Sequence, residues 1–237
     1  MKVSVCMATY NGEKYIKEQL DSILSQLGKD DELIITDDIS TDSTVSIIKS
    51  LNDKRINIFV NDKRLGVTAN FNESLSKASG DVIFLSDQDD IWLDSKVNKC
   101  LIVLETYDFV VTNCKVVNDD LSVVHESYFE VVNSNKGFVK NLYRSTYLGC
   151  CLAFNRKVLD SILPIPSSLL MYHDWWIGFI AERKFNVYFD DTPLSLYRRH
   201  IDATSSTVGR SKNSFVFKIK SRVQLLFLGF KRIYELR

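Results

Sequence analysis

Four short apolar runs, each followed by a polar loop and then by a stripe of apolar residues at helical spacing, constrain this chain more than any other feature. The runs are Val3–Met7, Glu32–Thr36, Ile56–Val60 and Val82–Leu85. Continuous β-branched and aliphatic runs of this length fit strands buried on both faces. Between them, the spacing predicts helices over Glu13–Leu27, Asp42–Leu51 and Thr68–Ala78, with a further helix over Ser95–Glu105 and a strand over Phe109–Thr112. Strands alternating with helices imply βαβ units. The expected fold class is therefore α/β, with a mostly parallel central sheet and helices on both faces.

Beyond residue 115 the alternation loosens. Val116-Val117, Asn118-Asp119-Asp120 and Val123-Val124 read as a hairpin, and His125 within it is given no function. Phe138–Tyr143, Lys157–Leu163 and Trp175–Arg183 read as short helices. No linker or repeat interrupts the chain, so residues 1–209 are expected to form one domain and residues 210–237 an appended segment. Hydrophobic residues make up 45% and charged residues 25%, which excludes disorder or a collagen-like chain as a description of the whole. Five cysteines (6, 100, 114, 150, 151) lack zinc-site or disulfide-framework spacing and are expected to be reduced, buried thiols of a cytoplasmic protein. No run of 18 apolar residues is present, so no membrane-spanning helix is expected.

In an open α/β sheet, ligands bind at the carboxyl ends of the strands. The residues there are Thr9-Tyr10-Asn11-Gly12-Glu13, Asp37-Asp38-Ile39-Ser40-Thr41-Asp42, Asn61-Asp62-Lys63-Arg64 and Asp87-Gln88-Asp89-Asp90. Several carboxylates in one crevice repel each other unless a cation is present, and oxygen donors suit Mg²⁺ or Mn²⁺. The chain has no GxGxxG after its first strand and no GxxxxGKS, which disfavours a dinucleotide fold or a P-loop. A nucleotide site made from Asn, Asp and Arg side chains with a divalent metal is the expectation.

The segments VSVCMATYNG (3–12), DDISTD (37–42), RLG (64–66), LSDQDDIW (85–92), LGCCLAFNRK (148–157), YHDWW (172–176) and YRRH (197–200) together resemble family 2 glycosyltransferases of the GT-A fold. The nearest resemblance is to bacterial inverting transferases of O-antigen or capsule repeat units, glucosyl- and rhamnosyltransferases among them. The resemblance implies roles residue by residue. Thr9, Tyr10, Asn11 and Glu13 would line the nucleotide pocket, Asp38 would contact the base, and Arg64 would lie near the base or phosphates. Asp87 would hold the ribose, with Gln88 counted in the same nucleotide-sugar set. Asp89 and His200 would bind the metal. Asp174 matches the catalytic base; where the family pattern often has Glu-Asp, this chain has His173-Asp174. Trp175 and Trp176 are read as the floor of the acceptor site, with simple core packing as the alternative for each.

Two other readings are weighed against transfer. A sugar-phosphate nucleotidyltransferase would want a Gly-rich, basic loop after the first strand. A non-catalytic nucleotide-sugar-binding protein would have no use for Asp89, Asp174 and His200 together. The partners implied are a UDP- or dTDP-sugar and a saccharide on undecaprenyl diphosphate. From Arg210 to Arg237 the chain carries eight Lys/Arg and one acid, interleaved with aromatic and aliphatic residues. A basic amphipathic stretch reads as a segment for an anionic membrane surface, with a C-terminal helix docked on the domain and its lysines exposed as the alternative, and the acidic remainder argues against nucleic acid. The protein is expected peripherally at the inner face of the cell membrane, and loss of residues 210–237 is expected to weaken that association more than the fold.

Overall fold

The computed structural model describes residues 1–199 and 213–236. The elements in chain order are β1 (Val3–Thr9), α1 (Ile16–Leu24), β2 (Glu32–Asp37), α2 (Thr44–Ser50), β3 (Ile56–Val60), α3 (Val67–Ser76), β4 (Val82–Ser86) and β5 (Ile91–Trp92). There follow α4 (Lys96–Leu104), β6 (Phe109–Val117), β7 (Val123–His125), α5 (Tyr128–Val132), α6 (Phe138–Tyr143), β8 (Leu152–Asn155), α7 (Arg156–Ile162), α8 (His173–Lys184), β9 (Val187–Arg198) and α9 (Phe215–Glu235). A 3-10 turn at Gly149–Cys151 leads into β8.

The sheet order is β3-β2-β1-β4-β8-β6-β9-β5, with β7 paired to β6. Strands β1 to β4 are mutually parallel where they pair. In β1, Val3, Val5 and Met7 face one side, against α1, α2 and α4, while Cys6 faces α3 and the second core. That two-sided burial explains why β1 reads as a continuous apolar run rather than an alternating one. The helix expected from Glu13 begins at Ile16, because residues 12 to 15 form a turn in which the Tyr15 amide donates to the Gly12 carbonyl at 3.0 Å.

The second half of the sheet is mixed. β8 runs antiparallel between β4 and β6, and β9 runs parallel to β6 with register shifts near Thr112 and Asn113. The strand expected at Phe109–Thr112 extends to Val117 and turns into the expected hairpin. All five cysteines are buried and unbridged.

The appended segment follows the docked alternative. Helix α9 docks on the body: Leu225 is part of the larger core, and Ser221 and Gly229 are buried beside it. A Cβ at Gly229 would lie 2.2 Å from the Phe179 ring, so α9 lies against α8 as only glycine permits. Arg232 donates to the Ser161 carbonyl at 2.9 Å and also to that of Leu163. Deleting the helix would strip Leu225 and its neighbours from this core, so the fold would weaken as well. Among the described residues, no helix is long and apolar enough to cross a membrane.

Candidate active site

The loops after β1, β2, β3 and β4 meet at one end of the parallel strands, and their polar side chains mostly hold one another. Asp37, wholly buried, accepts from the Thr9 hydroxyl at 2.9 Å and from the Ser40 amide at 2.8 Å. Asn11 adopts a left-handed φ of 48°, and its side-chain oxygen accepts from the Thr41 amide at 2.9 Å. Glu13 accepts from the Ser43 amide at 2.8 Å, at the start of α2. Thr9, Asn11 and Glu13 thus brace the first two loops against each other.

Asp38 is 2% exposed and takes four donors: the Leu65 amide at 2.7 Å, the Gly66 amide at 2.9 Å, Asn61 at 3.1 Å and the Arg64 Nε at 3.1 Å. Burial works against its charge, but these donors outweigh it and hold the carboxyl below the usual range. The third loop is therefore wrapped around Asp38. Arg64 leans outward from this loop, its guanidinium 3.3 Å from the centroid of the Tyr10 ring. Gln88 completes the rim: its side-chain oxygen accepts from the Tyr10 amide at 2.8 Å and its NH₂ donates to the Tyr10 carbonyl at 3.0 Å. A Cβ at position 12 would meet the Gln88 amide at 2.5 Å, which accounts for Gly12.

The acidic turn after β4 lies deeper. Ligand atoms of Asp87, Asp90 and Cys150 all lie within 4.8 Å of one another. Burial, then the charges of Asp90, Asp89 and Asp174, push the Asp87 carboxyl well above the carboxylate range. Asp90 is raised to about 7, chiefly by burial and then by Asp89. One Asp90 oxygen accepts from the Arg198 amide at 3.0 Å, while Oδ2 is buried without a hydrogen-bond partner among the described residues. Desolvated oxygens that suppress one another's ionisation, one of them orphaned, are what a hard divalent cation relieves. The two carboxylates of this group, Asp87 and Asp90, fit Mg²⁺ or Mn²⁺ chemistry, whereas its third member, the Cys150 thiol, is a soft donor that such ions do not seek, and Asp89, the expected ligand, is not one of the three. His200 lies outside the described residues.

Arg198 is a site residue that sequence reasoning quoted but gave no role. Its Nε donates to the Asp89 carbonyl at 2.9 Å, one terminal nitrogen to the Asp119 carbonyl at 2.7 Å and the other to Glu18 at 2.7 Å. It ties the acidic turn to α1 and to the β6–β7 hairpin. Lys96, 1% exposed, is likewise unexpected: its ammonium donates to the Cys150 carbonyl at 2.7 Å and lies 4.7 Å from the Trp92 ring centroid. It sets a buried positive charge on the 3-10 turn that carries Cys150.

Asp174 approaches from the opposite side, in the first turn of α8, where its Oδ1 accepts from the Trp175 amide at 2.8 Å. Burial raises its carboxyl to about 7, and its charge contributes to the rise at Asp87. His173 stacks on Phe71 with centroids 4.1 Å apart, and burial pushes it down to about 3, so it is a neutral ring in the wall rather than a cation. Trp175 is half-buried beneath the Arg222 guanidinium, 4.5 Å from its ring centroid. Trp176 belongs to the core: it is 1% exposed and its indole N–H donates to the Ile162 carbonyl at 2.8 Å. The expectation that Trp176 floors an acceptor site is therefore corrected.

Against this geometry the comparisons are informative. The family model described as Glycosyl transferase family 2 matches residues 4–163. A relative named dTDP-rhamnosyl transferase RfbG, from Shigella flexneri, is 28% identical over 212 residues, covering 82% of this chain and 71% of its own length. The Escherichia coli protein named UDP-Glc:alpha-D-GlcNAc-diphosphoundecaprenol beta-1,3-glucosyltransferase WfgD is 27% identical over 210 residues, covering 86% of this chain and 79% of its own. The crystal structure of S. aureus TarS in complex with UDP shares the fold, with a TM-score of 0.68 at 23% identity over 84% of this chain. This chain spans 61% of that structure's length.

Proposed function

This chain belongs to glycosyl transferase family 2, and from that premise we propose that it moves one hexose, with inversion, from a UDP- or dTDP-sugar to a sugar carried on a polyprenyl diphosphate. Glucose, galactose and rhamnose are the donor sugars considered. The names of the two relatives support this choice of donor nucleotides, and one of them supports the lipid-linked acceptor. Residues 1–209 are assigned to catalysis and residues 210–237 to contact with the inner face of the membrane.

What supports the reading is that Asp174, at the start of α8, is close enough to the acidic turn after β4 for its charge to help raise the Asp87 carboxyl. In an inverting transfer, the acceptor oxygen bonds to the anomeric carbon as the bond to the diphosphate breaks, and the acceptor proton must leave. Asp174 takes that proton. A carboxyl raised to about 7 holds a proton far better than an ordinary aspartate, yet is still substantially ionised near neutral pH. On the donor side, Tyr10 and Arg64 offer a flat, cationic surface to the base, on the loop that Asp38 shapes. Asp87 holds the ribose. Asp89, with His200, would hold Mn²⁺ or Mg²⁺, which supplies charge stabilisation for the departing diphosphate. Arg198 holds the backbone of Asp89 in place, and the neutral His173 ring fixes the start of α8 against Phe71.

The test is transfer itself. The protein is incubated with Mn²⁺, a synthetic GlcNAc-diphosphate-lipid and a panel of UDP- and dTDP-sugars, and products are identified by mass and NMR. A single hexose added from one donor is expected. Conversion of the UDP- or dTDP-sugar to a nucleoside triphosphate and a sugar 1-phosphate when pyrophosphate is supplied would point to nucleotidyl transfer, and binding without any product would point to a sensor.

A further inference from the structure

Helix α9 is apolar on two opposite faces; the fold uses the inner one throughout and the outer one only at Phe230, whose ring meets that of Phe179 edge-on at 5.6 Å. The inner face carries Ser221, Leu225 and Gly229 onto α8, and its docking is fixed by polar contacts on either side. Gln224 donates to the Ser168 carbonyl at 2.8 Å and accepts from the Leu170 amide at 2.8 Å, and Arg222 donates to the Tyr143 carbonyl at 3.1 Å.

The outer face carries Val216, Ile219, Val223, Phe227, Phe230 and Tyr234, which are 44% to 76% exposed. Successive members are three or four residues apart, so at about 100° per residue they form one narrow line along the helix. Apart from Phe230, which also packs on Phe179 and Phe138, the row leaves five large apolar side chains for which a monomer surface has no use. We propose that this row is an interfacial anchor, by which α9 lies flat on an anionic bilayer surface.

Charge selects the occupant. Lys220 and Lys231 are exposed, and helical spacing puts both along one edge of the row, where Lys231 also lies 3.9 Å from the Glu235 carboxylate. The segment from Arg210 to Arg237 holds eight Lys/Arg against one acid. A second copy of α9 laid on this face would bring cation against cation. A bilayer with anionic headgroups accepts both features at once, the row entering the acyl boundary and the lysines pairing with headgroups. At roughly 1.5 Å per residue the helix is about 30 Å long, enough for an in-plane anchor of several turns.

The docked face then acquires a purpose. Arg222 covers Trp175, the neighbour of Asp174, so a seated α9 would bring the start of α8 close to the headgroup layer. That purpose rests on the proposed transfer to a lipid-linked acceptor, whereas the anchor itself does not.

The experiment uses the whole chain and vesicles of phosphatidylcholine, with or without phosphatidylglycerol, in the absence of any acceptor. Wild type is expected to co-sediment with the anionic vesicles, and less so as salt rises. The double substitution Val223→Glu with Phe227→Glu should lower that partition by about tenfold or more, since it removes two inserting side chains and adds repulsive charge. Its melting temperature should match wild type, because both side chains point away from the core. Lys220→Glu with Lys231→Glu should weaken binding to the anionic vesicles selectively. Absence of wild-type binding, or equal binding by the Val223/Phe227 variant, would overturn the proposal. So would a wild-type dimer in sedimentation equilibrium that this variant dissolves, which would assign the row to a second copy. Transfer to a water-soluble acceptor, run in parallel, should be the same for wild type and variant. If neither transfers, the catalytic reading fails while the vesicle result still decides the anchor.

Discussion

Replacing Asp174 by Asn should stabilise the ligand-free protein, and by an amount that depends on pH. In the folded state burial raises this carboxyl from 3.8 to about 7. A raised carboxylate pKa means that the fold favours the protonated form. Its contribution is therefore fully present below the unfolded pKa and is lost as pH rises toward the folded one. Each pH unit in that window costs wild type about 1.4 kcal/mol. The full shift thus amounts to roughly 4 kcal/mol above pH 7 as an upper bound, since the site relaxes and admits water. Asparagine occupies the same volume and has nothing to ionise. The gap in stability between Asp174→Asn and wild type should therefore widen from about pH 4 to about pH 7 and stay flat above. At roughly 2–4 °C per kcal/mol for a chain of this size, the variant should melt several degrees higher at pH 8. The assay is chemical and thermal unfolding of both proteins across that range in chelator, because a cation nearby would favour the ionised form. A gap that does not change with pH would refute the argument that burial holds this carboxyl protonated, and with it the case for a base tuned near neutrality.

Two further outcomes are expected. Chelator should abolish transfer, and Asp89→Ala should lower kcat/KM by about 10² or more with saturating Mn²⁺, as expected for lost leaving-group stabilisation; full activity in chelator would remove the metal from the account. Leu225→Ala should destabilise the protein by about 2–5 kcal/mol in urea unfolding, because it empties a fully buried site between α9 and the body; an unchanged midpoint would mean that α9 contributes nothing to the fold.

The first four strands were legible because burial on both faces leaves no alternation to misread. β6 and β7 were legible as a short apolar run and a hairpin, but β8 and β9 were not. β8 is only Leu152–Asn155, too short for any period, and its antiparallel place between β4 and β6 depends on partners some 40 to 70 residues away. β9 is interrupted by Asp190, Asp191, Thr192 and Pro193, where its pairing with β6 shifts register, so no strand pattern survives in the sequence. α8 shows no stripe because Trp176 through Ala181 are all buried.

At the site, Asp87–Asp90 stood out as acids directly after an apolar strand. Arg198, Lys96 and Cys150 did not, because their bearing on that turn is a tertiary contact. Asn11, Glu13 and Asp38 were legible as a polar cluster, but not as side chains whose donors and acceptors are largely spent on one another. The tail left two readings open for a related reason. Apolar residues all round a helix look like one amphipathic face until the docked side is known, and only contact with Phe179 and Ser161 separates the two.

The central claim is that Asp174 serves as the base for an inverting sugar transfer at the acidic turn. The most direct measurement is NMR of the product's anomeric configuration under single-turnover conditions, with saturating donor and Mn²⁺, for wild type and Asp174→Asn. The account predicts an inverted product from wild type, and from the variant intact donor binding with turnover lower by about 10² or more. A retained configuration, or wild-type turnover by Asp174→Asn, would contradict it.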